Sequence, residues 1–234
     1  MVCFAGRMGE RAGKSGQIGA KMKSYLDKIR TPKKDVSLKT KITVTVGMIL
    51  FGFALGVLQK WAGSLPSNQM PVLIQLFNMK NCFGRLAIWI LLAAVISVYS
   101  KSPLSASRNI FAFFNSMMAG YYLYCNYNLG FFPKAYMMVW VAISFASAFM
   151  AYICWYAKGE GIIAIIISGA IIGVLFAQAF SLTQGFYVYY YEEAVTWLLG
   201  VAVLYRKKPK ELVMELGVSV MVALMYQLVL PHWG

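Results

Sequence analysis

Residues 161–182 read "GIIAIIISGAIIGVLFAQAFSL", 22 residues without a charge. At 1.5 Å per residue this run makes a helix about 33 Å long, enough to cross a hydrocarbon core of about 30 Å. The rest of the chain fits such an environment. Sixty per cent of its 234 residues are hydrophobic and the mean hydropathy is +0.63, well beyond what one soluble core requires.

The same length test picks out six further segments, 42–61, 83–100, 110–127, 135–157, 186–205 and 212–230. The expected fold class is therefore all-α: a polytopic transmembrane bundle of seven spans over residues 42–234, preceded by a basic segment, 1–41. Eleven of the 22 Lys and Arg lie in that segment, and the others sit mainly in short gaps between apolar runs. With the N-terminus inside, Lys101, Arg108, Lys158, Arg206, Lys207, Lys208 and Lys210 join those eleven, and Lys60, Lys80, Arg85 and Lys134 face out. Eighteen against four agrees with the positive-inside bias and puts the C-terminus outside. The net charge of +14 thus reports loop topology, and no nucleic-acid partner is expected. A heptahelical receptor has the opposite orientation, and span seven has no lysine for a retinal Schiff base.

Within the basic segment Ile18, Met22, Tyr25, Leu26 and Ile29 recur at helical spacing among Lys21, Lys23, Lys28 and Arg30. The readings stand side by side: an amphipathic helix on anionic inner-leaflet lipids, or else a disordered basic tail or a start placed too early, with Met22 as the true initiator. The segment lacks the layout of a secretory signal. After span one, "MPVLIQLFNM" at 70–79 is too short to cross and is expected to be interfacial or re-entrant.

Small residues four apart mark helix contacts: Gly52 and Gly56; Ala112, Ser116 and Gly120; Ser144 and Ala148; Gly169, Gly173 and Ala177. They point to a compact bundle more than to a specific dimer. Tyrosines cluster in "GYYLYCNY" and "FYVYYYEE", as in an aromatic belt at the outer boundary. The four cysteines show no metal spacing and the only histidine is His232, so no cofactor or metal is expected. Cys82 and Cys125 both fall outside, and two free thiols are favoured over a disulfide.

The candidate site is built on Glu192 and Glu193. Starting span six at Phe186 places them six and seven residues in, a depth costly for unpaired charge. Starting it at Glu192 makes them N-terminal caps of a helix of about 21 Å, too short to cross. Successive residues point about 100° apart, so only one of the two is expected to face the interior. Arg85, Gln178 and Gln227 fall at the same end as candidate partners, with Tyr189 and Thr196 beside them, and an Arg85 ion pair would account for the acids without any ligand. Glu211 and Glu215 are expected to support the inner loop and the start of span seven, and Asn115 to hydrogen-bond between helices.

Catalytic signatures fail. "EEAVTW" has Trp197 where an intramembrane CAAX-type protease needs arginine, no aspartate follows Asp35, and GxSxG, HExxH and P-loop patterns are missing. The succession "YSKSPLSASRN", "GYYLY", "GFFPKAY", "AYICWYAKGEG" and "IIGVLFAQAF" resembles an uncharacterised family of small multi-pass membrane proteins from Gram-positive bacteria, over roughly residues 45–230. That resemblance implies a bacterial plasma membrane and transfers no activity or site residues. The expectation is a non-enzymatic, transporter-like or solute-binding protein with an outward polar pocket for a small solute or ion. The competing expectation is a scaffold, immunity or assembly subunit that binds another membrane protein.

Overall fold

The computed structural model describes residues 21–33, 36–66, 71–72, 78–130, 134–183 and 185–230. Its helices are α1 (21–29), α2 (Leu38–Ser64), α3 (Met79–Gly84), α4 (Leu86–Tyr99), α5 (Pro103–Leu129), α6 (Lys134–Cys154), α7 (Ile162–Ala179), α8 (Tyr191–Leu204) and α9 (Pro209–Val229). A 3-10 turn, Trp155–Lys158, extends α6, and a two-stranded antiparallel hairpin, β1 (Phe180–Ser181) and β2 (Tyr187–Val188), separates α7 from α8. The chain is all-α apart from that hairpin. Four helical stretches, Leu38–Ser64, Met137–Lys158, Ile162–Ala179 and Pro209–Val229, are long and apolar enough to cross a membrane. The stretch 70–79 lies largely outside the described residues, as do Cys3 and His232.

Two tight pairs organise the bundle, α2 with α5 and α7 with α9. Both use the small-residue stripes. Gly52 faces the Phe113 carbonyl, Gly56 the Met117 carbonyl and Gly120 the Phe53 carbonyl, so side chains are excluded from the α2–α5 contact. Gly169 and Gly173 do the same against the Glu215 and Ser219 carbonyls of α9. Between α5 and α6, Asn115 Nδ2 donates to Ser144 Oγ at 2.7 Å and Ser107 Oγ to the Ala148 carbonyl at 2.7 Å. Lipid tails are as apolar as leucine, so close backbone approach and such bonds carry the association. The stripes are consumed inside the chain.

α4 lies between the two pairs, and α8 packs on α4 and α7. Trp89, Ile110, Phe113 and Trp155 are buried on one side, and Val98, Ile172, Leu175 and Leu204 on the other. Gly200 of α8 faces the Leu175 side chain.

Two sequence expectations need correction. The segment 83–100 is not one helix: the backbone is extended at Arg85 (φ −102°, ψ 154°), which separates α3 from α4. The Phe83 carbonyl freed by this break accepts from Gln59 Nε2 at 3.0 Å and Trp89 Nε1 at 3.1 Å. Helix six does not begin at Phe186. Gly185 (φ 100°) takes a conformation that favours glycine, Phe186 and Phe180 stack, and Tyr189 N–H donates to the Ala179 carbonyl at 2.9 Å. In the basic segment, α1 is helical and closes onto the bundle at its C-terminal end: Ile29 is buried, its carbonyl accepts from Glu160 N–H at 2.8 Å, and Arg30 donates to the Trp155 and Val98 carbonyls. Met22 and Tyr25 stay exposed. Cys82 and Cys125 are free thiols.

Candidate functional site

The helix α8 begins at Tyr191, so Glu192 and Glu193 sit in its first turn, where the positive end of the helix dipole favours carboxylates. Capping alone would leave them in water. They are instead buried, Glu192 at 6% and Glu193 at 2% exposure.

The cover comes from the break between α3 and α4. Asn78, at the left-handed N-cap of α3, donates its side-chain amide to Glu192 Oε1. Such a backbone position suits asparagine among non-glycine residues. Arg85, at the break itself, holds Nη1 3.6 Å from Glu193 Oε2, and its guanidinium carbon lies 3.2 Å from the centre of the Tyr190 ring. Arg85 is itself buried. The expectation that only one acid faces inward therefore fails: Asn78 covers one side of the turn and Arg85 the other.

The charges do not balance. Two buried carboxylates face one guanidinium, and Glu192 Oε2 and both Glu193 oxygens accept no hydrogen bond among the described residues. Thr196, one turn on, spends its hydroxyl on the Glu192 carbonyl at 2.7 Å.

Gln178 and Gln227 are engaged elsewhere. Gln178, fully buried, donates to the Tyr226 hydroxyl at 2.8 Å, with its Oε1 unpartnered among the described residues. Gln227 accepts from Leu182 N–H at 2.9 Å and donates to the Ala177 and Phe180 carbonyls. It fastens α9 to the end of α7 and the first strand, a structural latch. The aromatic side of this end is dense: Trp197 meets Phe176 and Phe180 edge-on.

A second buried ion cluster closes the other end of α8. Arg206 Nε lies 3.4 Å from Glu215 Oε1 and Nη1 3.3 Å from Glu211 Oε2, while Nη2 donates to the Ala157 carbonyl at 2.8 Å and Nη1 to the Gly159 carbonyl at 3.3 Å. Glu215 is 1% exposed. The sequence reading gave Glu211 and Glu215 a loop-supporting role and counted Arg206 only among topology-setting cations. The available signal was that Glu211 and Glu215 are one turn apart, which stacks two acids on the face turned to Arg206.

Cys82 of α3 reports on the Glu192–Glu193 cluster. Burial, then the charges of Glu192 and Glu193, push its thiol above the ordinary value. A protein retaining Cys82 as its sole cysteine is expected to react with maleimide at pH 7 more slowly than an exposed thiol, because less thiolate is present. Glu192→Gln with Glu193→Gln should accelerate the reaction; an unchanged rate would mean that the two acids carry no charge beside the thiol.

No family model, curated protein or solved structure matches this chain.

Proposed function

We propose that this chain is a non-enzymatic, transporter-like or solute-binding membrane protein that takes a proton or small cation at Glu192 and Glu193. The observation that carries the reading is the pairing of two buried carboxylates with one guanidinium at the head of α8. Excess charge in a low-dielectric site is costly, and a proton or cation on the unpartnered oxygens removes the excess. An anionic ligand would add to it. On this reading the outward polar pocket expected from the sequence is cation-selective, with Arg85 as its fixed counter-charge.

The topology that goes with this reading is seven spans, N-terminus in, in a bacterial plasma membrane. Besides the four long apolar helices, α5 has 27 residues, and α4 and α8 are shorter helices of 14 residues each. The loop charges, eighteen against four, support the orientation, and the resemblance to Gram-positive multi-pass proteins supports the location. Anionic inner-leaflet lipids are partners of the basic N-terminal segment.

The assembly-subunit reading draws less support, since the small-residue stripes that would recruit another membrane protein pack within the chain.

The test uses purified protein and proteoliposomes. Monovalent cations, divalent cations and protons are scanned for thermal stabilisation and for uptake. Wild type should respond to one of them, and Glu193→Gln should lose most of that response while remaining folded. If Glu192→Gln and Glu193→Gln both respond as wild type does, the site is elsewhere.

A further inference from the structure

At the end of the bundle that holds Trp155 and Arg206, a groove of about 230 Å³ opens between α2, α4 and α5. Its rim carries Lys41, Lys101 and Arg108, and its wall continues as Val44, Met48 and Val95. Lys41 starts the membrane-crossing part of α2; Val44 and Met48 follow it by about 4.5 and 10.5 Å of helical rise. Charge therefore gives way to hydrocarbon along one groove, in the order in which a bilayer changes from headgroup to tail.

The cations are exposed and have no ion-pair partner among the described residues. The sequence contains no acidic residue between Asp35 and Glu160, so α2, α4 and α5 supply none. Arg108 is held in place: its Nε donates to Thr45 Oγ1 at 3.0 Å, Thr45 donates to Asn109 Oδ1 at 3.1 Å, and Asn109 is buried at the groove floor. That orientation occupies Nε and leaves both Nη groups for a ligand. A guanidinium so presented matches the oxygens of a phosphodiester.

We propose that this groove binds one anionic phospholipid of the surrounding leaflet, its phosphate on Lys41, Lys101 and Arg108 and one acyl chain along Val44, Met48 and Val95. Basic pockets between membrane helices on the cytoplasmic side suit such headgroups. The apolar wall selects a lipid over free phosphate, which would use only the rim. The site is separate from the basic N-terminal segment and independent of the Glu192–Glu193 reading.

The full-length protein is titrated with phosphatidylglycerol, with phosphatidylcholine of identical chains, and with inorganic phosphate, and one-to-one adducts are read by native mass spectrometry. Phosphatidylglycerol is expected to bind tightest. Replacing all three cations, Lys41→Gln with Lys101→Gln and Arg108→Gln, should weaken it roughly a hundredfold, at about fivefold per cation, and leave phosphatidylcholine unchanged. These side chains are exposed, so folding should survive, and an unchanged melting temperature in detergent verifies it. Lys21→Gln with Lys23→Gln and Lys28→Gln should have little effect. Equal binding of the two lipids, an unaltered triple variant, or inorganic phosphate competing at the lipid's own affinity would each overturn the proposal.

Discussion

Arg206→Ala is expected to lower stability by about 3–5 kcal/mol, the range for stripping one partner from a buried ion pair. Glu215 would stay behind at 1% exposure with no cation, and the Ala157 and Gly159 carbonyls would lose their donor. The effect should spread, because Arg206 joins the turn after α6, the end of α8 and the start of α9. Arg206→Lys should recover little, since a compact ammonium with three donors cannot reach the two carboxylates and two carbonyls that the planar guanidinium fork serves together. Arg206→Met with Glu215→Leu should recover part of the loss, because no buried carboxylate is then left without a cation and Glu211 keeps Lys208, while the Ala157 and Gly159 carbonyls still lack their donor. Unfolding midpoints in detergent for the four proteins provide the check. A single Arg206→Ala variant as stable as wild type would remove this cluster from the account of the fold.

Gly56→Leu should be of similar severity for a different reason. A Cβ at Gly56 would already overlap the Met117 carbonyl and approach the Tyr121 N–H, both backbone atoms that cannot step aside. Overpacking typically costs about 1–3 kcal/mol. Here the excess belongs at the upper end, since α2 and α5 touch across Gly52, Gly56 and Gly120 together and a larger side chain would part all three. Gly47→Leu, on the same helix with nothing within 4 Å of its Cβ position, is the matched control and should be nearly silent. If both variants melt together, the α2–α5 contact is looser than its geometry.

Much of the fold is legible in the sequence because bilayer thickness is a ruler and uncharged runs can be measured against it. The long helices of residues 42–61, 161–182 and 212–230 appear close to where that ruler puts them. The ruler misleads where the chain is apolar but not helical. In "SLTQGFYVYYYEE", the aromatic residues after the glycine count as hydrophobic when a span is measured yet suit a turn and a strand, and counting residues cannot see the difference. The break at Arg85 is hidden for the same reason: a single charge at the edge of an apolar run reads as a boundary, and only tertiary contacts turn it inward. The pairing of Arg85 with Glu193 was nameable from depth alone. The burial of both acids was not, since it depends on Asn78 arriving from a segment whose position no local pattern fixes.

The Arg85–Glu193 pair also has a history in time. Its two halves are separated by 108 positions in the sequence, which at roughly 5–20 residues per second of synthesis is about 5–20 s of translation. Throughout that interval, in which α4 to α7 are made, Arg85 waits without its partner at the extended break between α3 and α4. Only when α8 emerges can the charge be drawn under cover. The closing of this contact is a late event in biogenesis, and chains released before residue 193 should be the ones that quality-control proteases recognise.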